Sequence, residues 1–107
     1  MTTRQQAATA FEAAAPLFTV LADPYRQQIL LDLGTTAEGR NVNEITEKLA
    51  LSRPAVSHHL LLLKQAGLVA VTKHGTQNIY TLTLKASIHQ IRALMDLLEA
   101  SCERGNH

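Results

Sequence analysis

The 107-residue chain predicts a mainly α-helical fold that carries one β-hairpin. Three observations carry this expectation. Apolar residues recur at helical spacing in several short segments, each opened by a capping residue. The stretch 68–84 instead reads as two strands about a Gly-containing turn. The last segment then returns to helical spacing. The length suits one domain, 1–107. Hydrophobic residues make up 46%, but only 4% are aromatic and none is Trp, so the core must be aliphatic.

The first helix is Ala-rich over 4–15, with Phe11 as its only large apolar residue, and Pro16 is expected to interrupt it before a short apolar turn from Leu17 to Ala22. Asp23-Pro24 opens a second helix: Asp caps free N–H groups and Pro suits the first helical position. Tyr25, Ile29, Leu30 and Leu33 form its apolar face, and Gly34 stops it. After a loop to Arg40, Asn41 caps a short helix over 42–50, with Val42, Ile45 and Leu49 inward. Ala50-Leu51-Ser52 is a tight turn, and Ser52 caps a helix over 53–66 that Gly67 ends. Strands follow over 68–73 and 78–84 about the turn His74-Gly75-Thr76-Gln77. Ser87 caps a final helix over 88–103, before a short tail. Two short helices joined by a tight turn and followed by a hairpin describe a winged helix-turn-helix, with 41–66 as the helix-turn-helix and 68–84 as the wing.

Charge is unevenly distributed. Residues 1–47 carry a net −3, residues 48–92 a net +6 with no Asp or Glu at all, and residues 93–107 a net −2. Four of the five His residues also lie in the acid-free segment. Such a segment suits an anionic partner. No apolar run approaches the ~20 residues of a bilayer span, and the N-terminus lacks the pattern of a secretory signal. A single cysteine, Cys102, rules out a disulfide within the chain, and a reducing, cytoplasmic location is the simplest expectation. An enzyme is not expected: there is no Gly-rich phosphate loop, no paired nucleophile and base, and no helical metal-protease motif. No cofactor is implied.

The helix over 53–66 divides cleanly when placed on a wheel at about 100° per residue. Arg53, Pro54, Ser57, His58, Leu61, Lys64 and Gln65 share one face; Ala55, Val56, His59, Leu60, Leu62, Leu63 and Ala66 share the other. The first face is polar, basic and free of acids, with only Leu61 out of place. A DNA major groove needs cations for phosphates, hydrogen-bonding groups for base edges, and no repelling carboxylate. Arg53, Ser57 and His58 lie nearest the helix start and are the base-edge or phosphate candidates; Lys64 and Gln65 suit backbone contacts. His59 is expected to be a partly buried packing residue with its ring nitrogen satisfied locally. Lys73, His74 and Thr76 at the wing tip are positioned to touch DNA as well.

Three stretches together resemble the ArsR/SmtB family of winged-helix repressors. They are Leu21-Ala22-Asp23-Pro24-Tyr25-Arg26 running to Ile29-Leu30, Leu51-Ser52-Arg53-Pro54-Ala55-Val56-Ser57-His58-His59-Leu60, and Leu63-Lys64-Gln65-Ala66-Gly67-Leu68-Val69. The resemblance implies a homodimeric, DNA-binding repressor that dimerises through its first and last helices, here 1–22 and 86–104. The residues agree: Ile88, Ile91, Met95, Leu98 and Cys102 follow an a/d spacing, widened by Leu94 and Leu97, and Phe11 gives the first helix an apolar partner for that seam.

The departures concern the effector. The Cys-x-Cys of thiophilic-metal sensors is replaced by Asn41-Val42-Asn43, which lacks soft anionic ligands. In the last helix His89 is preceded two residues earlier by Ser87 rather than Asp, and Ala100 stands where a second His would lie. Asp96, Glu99, Cys102, Glu103 and His107 do not match a known metal spacing, so no metal site is assigned. One cysteine cannot form the bridge of sulfur-sensing members; Cys102 reads as a buried, inert thiol, with a disulfide between subunits as the alternative. The effector is unknown. Two other readings stay open: a metal- or redox-responsive repressor with a non-standard site on the last helix, and a winged-helix protein-interaction module without specific DNA binding.

Overall fold

The computed structural model describes residues 2–102. Its elements run α1 (Thr3–Leu21), α2 (Pro24–Leu33), α3 (Val42–Glu47), α4 (Arg53–Gln65), β1 (Val69–His74), β2 (Gln77–Leu82) and α5 (Lys85–Ser101). Glu103 and His107 lie outside the described residues, as does the end of the last helix expected from the sequence.

Pro16 does not interrupt the first helix; it lies inside a continuous α1. The missing N–H would have paired with the carbonyl of Glu12. Glu12 and Pro16 are both exposed, so that carbonyl faces water, while Ala7, Ala14, Leu17 and Val20 bury the opposite side. Packing on one face therefore carries the helix across a proline on the other. Asp23 caps α2 as expected: its Oδ1 accepts from the N–H groups of Tyr25 (2.8 Å) and Arg26 (3.1 Å). Asn41 and Glu44 close a reciprocal capping box on α3. That helix is shorter than expected. Lys48 and Leu49 donate to Ile45 and Thr46, three residues back, which tightens the chain into the turn early.

Ser52 caps α4 through Ala55 N–H (3.3 Å). Gly67 ends it at φ 78°, with Leu68 N–H returning to the Leu63 carbonyl (3.0 Å), so the helix closes on a left-handed glycine. The hairpin pairs Val69 with Leu82 through to His74 with Gln77. Its turn is therefore only Gly75-Thr76, with positive φ at Gly75 alone, the type II′ pattern. β2 ends at Leu82 rather than 84, because Leu84 already serves as the N-cap of α5. Ser87, expected as that cap, is instead buried within the first turn, and no side chain caps the helix.

The core gathers Leu17, Val20, Ile29, Leu33, Ile45, Val56, Leu60, Leu63, Leu68 and Val69. It is aliphatic, as the composition requires. Tyr25, expected on the inner face of α2, is 37% exposed. The segment before α3 does more than connect. Arg40 exchanges both backbone hydrogen bonds with Tyr80 (3.1 and 2.8 Å), adding a one-residue third strand beside the hairpin. Gly39 permits this approach: at φ 84°, a Cβ there would stand 2.5 Å from the Tyr80 carbonyl oxygen. The Arg40 side chain then reaches Asp32 on α2 (2.9 Å), which also meets Lys48 (3.2 Å).

Candidate nucleic-acid interface

The helix α4 is held from behind. Val56, Leu60 and Leu63 are fully buried, and Ala55, His59, Leu62 and Ala66 are half-buried. Arg53, Pro54, Ser57, His58, Leu61, Lys64 and Gln65 are all exposed. The division expected from the wheel is thus reproduced residue by residue. The outer face holds two cations, four other polar or Pro side chains, one leucine and no acid. Lys73, His74 and Thr76 at the hairpin tip are exposed too.

Part of this surface forms a polar cleft of about 270 Å³ between α3, α4 and the hairpin. It brings together Arg53, Ser57 and Thr76 with Asn43 and Asn78, which sequence reasoning did not single out. Pro54, His58, Lys64, Gln65, Lys73 and His74 lie outside it. Asn41, at the cleft's edge, donates from Nδ2 to Gln77 Oε1 (3.3 Å). That bond ties the start of the helix-turn-helix to the base of the hairpin turn. A signal for it is present in the sequence: beyond the helix-capping role of Asn41, Asn41 and Asn43 both carry amides able to donate and accept hydrogen bonds.

His59 is half-buried, as expected, but its ring is satisfied from afar. Arg26 Nη1 lies 3.1 Å from His59 Nδ1. A guanidinium can only donate, so Nδ1 is the acceptor of this pair. The same guanidinium donates from Nε to the Val20 carbonyl (2.8 Å) at the end of α1. Tyr25 stands beside the imidazole, ring centres 6.0 Å apart. Arg26 therefore joins α1, α2 and α4. Backbone donation from Arg26 N–H, aided by Tyr25 N–H and the positive charge of Arg26, holds the Asp23 carboxyl below its ordinary value of 3.8.

On α5, the side chains that pack inward are Ser87, Ile91, Leu94, Leu97 and Leu98, with Leu94 fully buried. α5 lies mainly along α1. Ile88 (42% exposed) and Met95 (48%) project beside that contact, as do Phe11 (45%) and Phe18 (36%) from α1. Of the expected seam, Ile91 and Leu98 are thus partly used within the chain. Cys102 is exposed at the end of α5 rather than buried. Among the described residues no three His, Cys, Asp or Glu side chains converge as metal ligands. No helix among them is long and apolar enough to cross a membrane.

A model of the helix-turn-helix domain matches residues 21–72, which hold α2, α3, α4 and most of β1. An uncharacterised HTH-type transcriptional regulator of Methanocaldococcus jannaschii is 40% identical over 70 residues, 65% of this chain and 78% of its own. The HTH-type transcriptional regulator CmtR of Mycobacterium tuberculosis is 39% identical over 89 residues, 81% of this chain and 70% of its own. The solved structure of an ArsR-like transcriptional regulator from Rhodococcus superposes with a TM-score of 0.71 at 27% identity, covering 84% of this chain and 83% of its own. The chain belongs to the ArsR/SmtB family of winged helix-turn-helix transcriptional regulators. In the terms of that family, α3 and α4 form the helix-turn-helix, β1 and β2 the wing. Another ArsR-type neighbour, the winged helix-turn-helix domain of Mb0332 from Mycobacterium bovis, is described as homodimeric; it matches with a TM-score of 0.66 at 25% identity, over 94% of this chain and 90% of its own.

Proposed function

We propose that this regulator is a homodimeric repressor that binds an inverted-repeat DNA operator through α4 and the wing. The observation that carries this reading is the outer face of α4: every residue of it is exposed, its cations are unopposed by any acid, and the wing tip extends the same chemistry. Arg53 and Ser57, facing Thr76 across the polar cleft, are the central pair, with His58 beside them and Pro54 shaping the helix start. Lys64, Gln65, Lys73 and His74 supply flanking phosphate contacts. Dimerisation through α1 and α5 would cover Phe11, Phe18, Ile88 and Met95 and set the half-site spacing. The homodimeric neighbour supports this arrangement.

The test is fluorescence anisotropy with duplex from the gene's own upstream region, or from random-sequence selection, against a scrambled duplex over a salt series. Selective binding that weakens steeply with salt is expected, because phosphate contacts release counterions. Arg53→Ala should remove roughly 1–3 kcal/mol of specific binding if it reads a base edge. Failure to select any duplex would instead favour a protein-interaction module.

A further inference from the structure

Leu61 is the one large apolar side chain on the outer face of α4, and it is 48% exposed. Its helical neighbours on that face are Ser57 and His58 before it and Lys64 and Gln65 after it, all exposed. It therefore sits in the middle of the polar surface, ringed by hydrogen-bonding and cationic groups. Packing does not account for it, since Leu60 and Leu63 fill the core from the opposite side. A leucine in this place gains free energy only where it meets apolar surface. Among the base edges of the major groove, the apolar group is the C5-methyl of thymine.

We propose that Leu61 is a specificity-determining residue that selects a thymine in each half of the bound site by covering its methyl group. The inference rests on the DNA-binding reading above and deepens it. Ser57, His58 and Gln65 around it would read or exclude the adjoining polar edges, while Lys64 holds the backbone. Leu61 then contributes discrimination between bases and little of the salt-dependent affinity.

The experiment separates the two levels. The full chain and its Leu61→Ala and Leu61→Met variants are used to select duplexes from a random library. The best wild-type duplex is then remade with deoxyuridine replacing each thymidine in turn, and binding is read by anisotropy at fixed salt. At one position per half-site, loss of the methyl should weaken wild-type binding about fourfold, the worth of one buried methyl group. Leu61→Ala should bind the thymine and uracil duplexes alike, with its salt slope unchanged; Leu61→Met should keep the preference. Equal binding of both duplexes by the wild type, or an undiminished preference in Leu61→Ala, overturns the assignment. If the wild type enriches no duplex, the DNA-binding reading fails and takes this inference with it. Leu61 lies outside the core, so an unchanged melting temperature shows that the Ala variant still folds.

Discussion

The helices α4 and α5 are both amphipathic, yet only one of them disclosed its faces in the sequence. In α4 the two faces differ in chemical type: Arg53, Ser57, His58, Lys64 and Gln65 against Val56, Leu60 and Leu63. Water sorts such faces unaided, and the structure agrees at every position. In α5 two adjacent faces are both apolar. Leu94 and Ile91 turn toward α1 and the core, while Ile88 and Met95 stand about a quarter-turn away in solvent. Periodicity locates an apolar stripe but does not say which edge meets the chain's own α1 and which is left over. The a/d seam read from sequence straddled both.

The two faces of α5 can be cut separately. Leu94 is fully buried, so Leu94→Ala should lower stability by about 2–5 kcal/mol through lost burial and the cavity left behind. A urea melt of the full chain reads this as a lower midpoint. The neighbouring Met95→Asp should leave the folded protomer intact and shift the sedimentation of the proposed dimer toward monomer. Leu98→Asp is the less clean probe, because Leu98 is half-buried against the chain itself. A Leu94→Ala variant as stable as wild type would mean that α5 is not anchored where the structure puts it. A still-dimeric Met95→Asp would remove the exposed stripe from the interface.

The inner face of α4 offers a second, smaller test. Arg26 reaches His59 and the Val20 carbonyl at once, so its removal strands a half-buried ring nitrogen and a helix-end carbonyl. Arg26→Ala should cost roughly 1–3 kcal/mol, the range for leaving such groups unpaired. Arg26→Lys should not restore it, because a single ammonium lacks the planar fork that reaches both acceptors. If Ala and Lys variants melt like wild type, α4 owes its placement to its apolar residues alone.

The limits of the sequence follow the same physics. Three of the four expected caps were legible because they are local: Asp23, Asn41 and Ser52 each close bonds within three residues, whereas Ser87 is drawn into the buried first turn of α5 and caps nothing. The outer face of α4, with all its candidate DNA-binding residues, was legible from polarity. The helix through Pro16 was not, since distant packing by Leu17 and Val20 outweighs one missing hydrogen bond on a solvated side. Nor was the Arg40–Tyr80 bridge, which joins residues 40 positions apart and shows in sequence only as Gly39. Arg26 lies in a family motif, but its contact with His59 spans 33 positions and depends on how the helices pack, which no local signal reports. Asn43 and Asn78 joined the cleft for the same reason.

The smallest expected effect concerns the cap that seats Arg26. The Asp23 carboxylate accepts from the backbone N–H of Arg26 and of Tyr25, and its pKa is lowered from 3.8 by those bonds and the nearby cationic charge. A depressed carboxylate contributes stability above its unfolded value and loses it as pH falls through the folded one. Asp23→Asn keeps a good capping side chain but removes the charge. At neutral pH the variant should be less stable by an amount near the low end of about 0.3–1 kcal/mol, because the carboxylate is solvated and screened. The gap should close as the wild-type carboxyl is protonated below its lowered pKa. Urea midpoints of both proteins between neutral pH and about pH 2 measure it. A gap that persists in acid would mean that the side chain's shape and hydrogen-bond geometry, not its charge, seat α2.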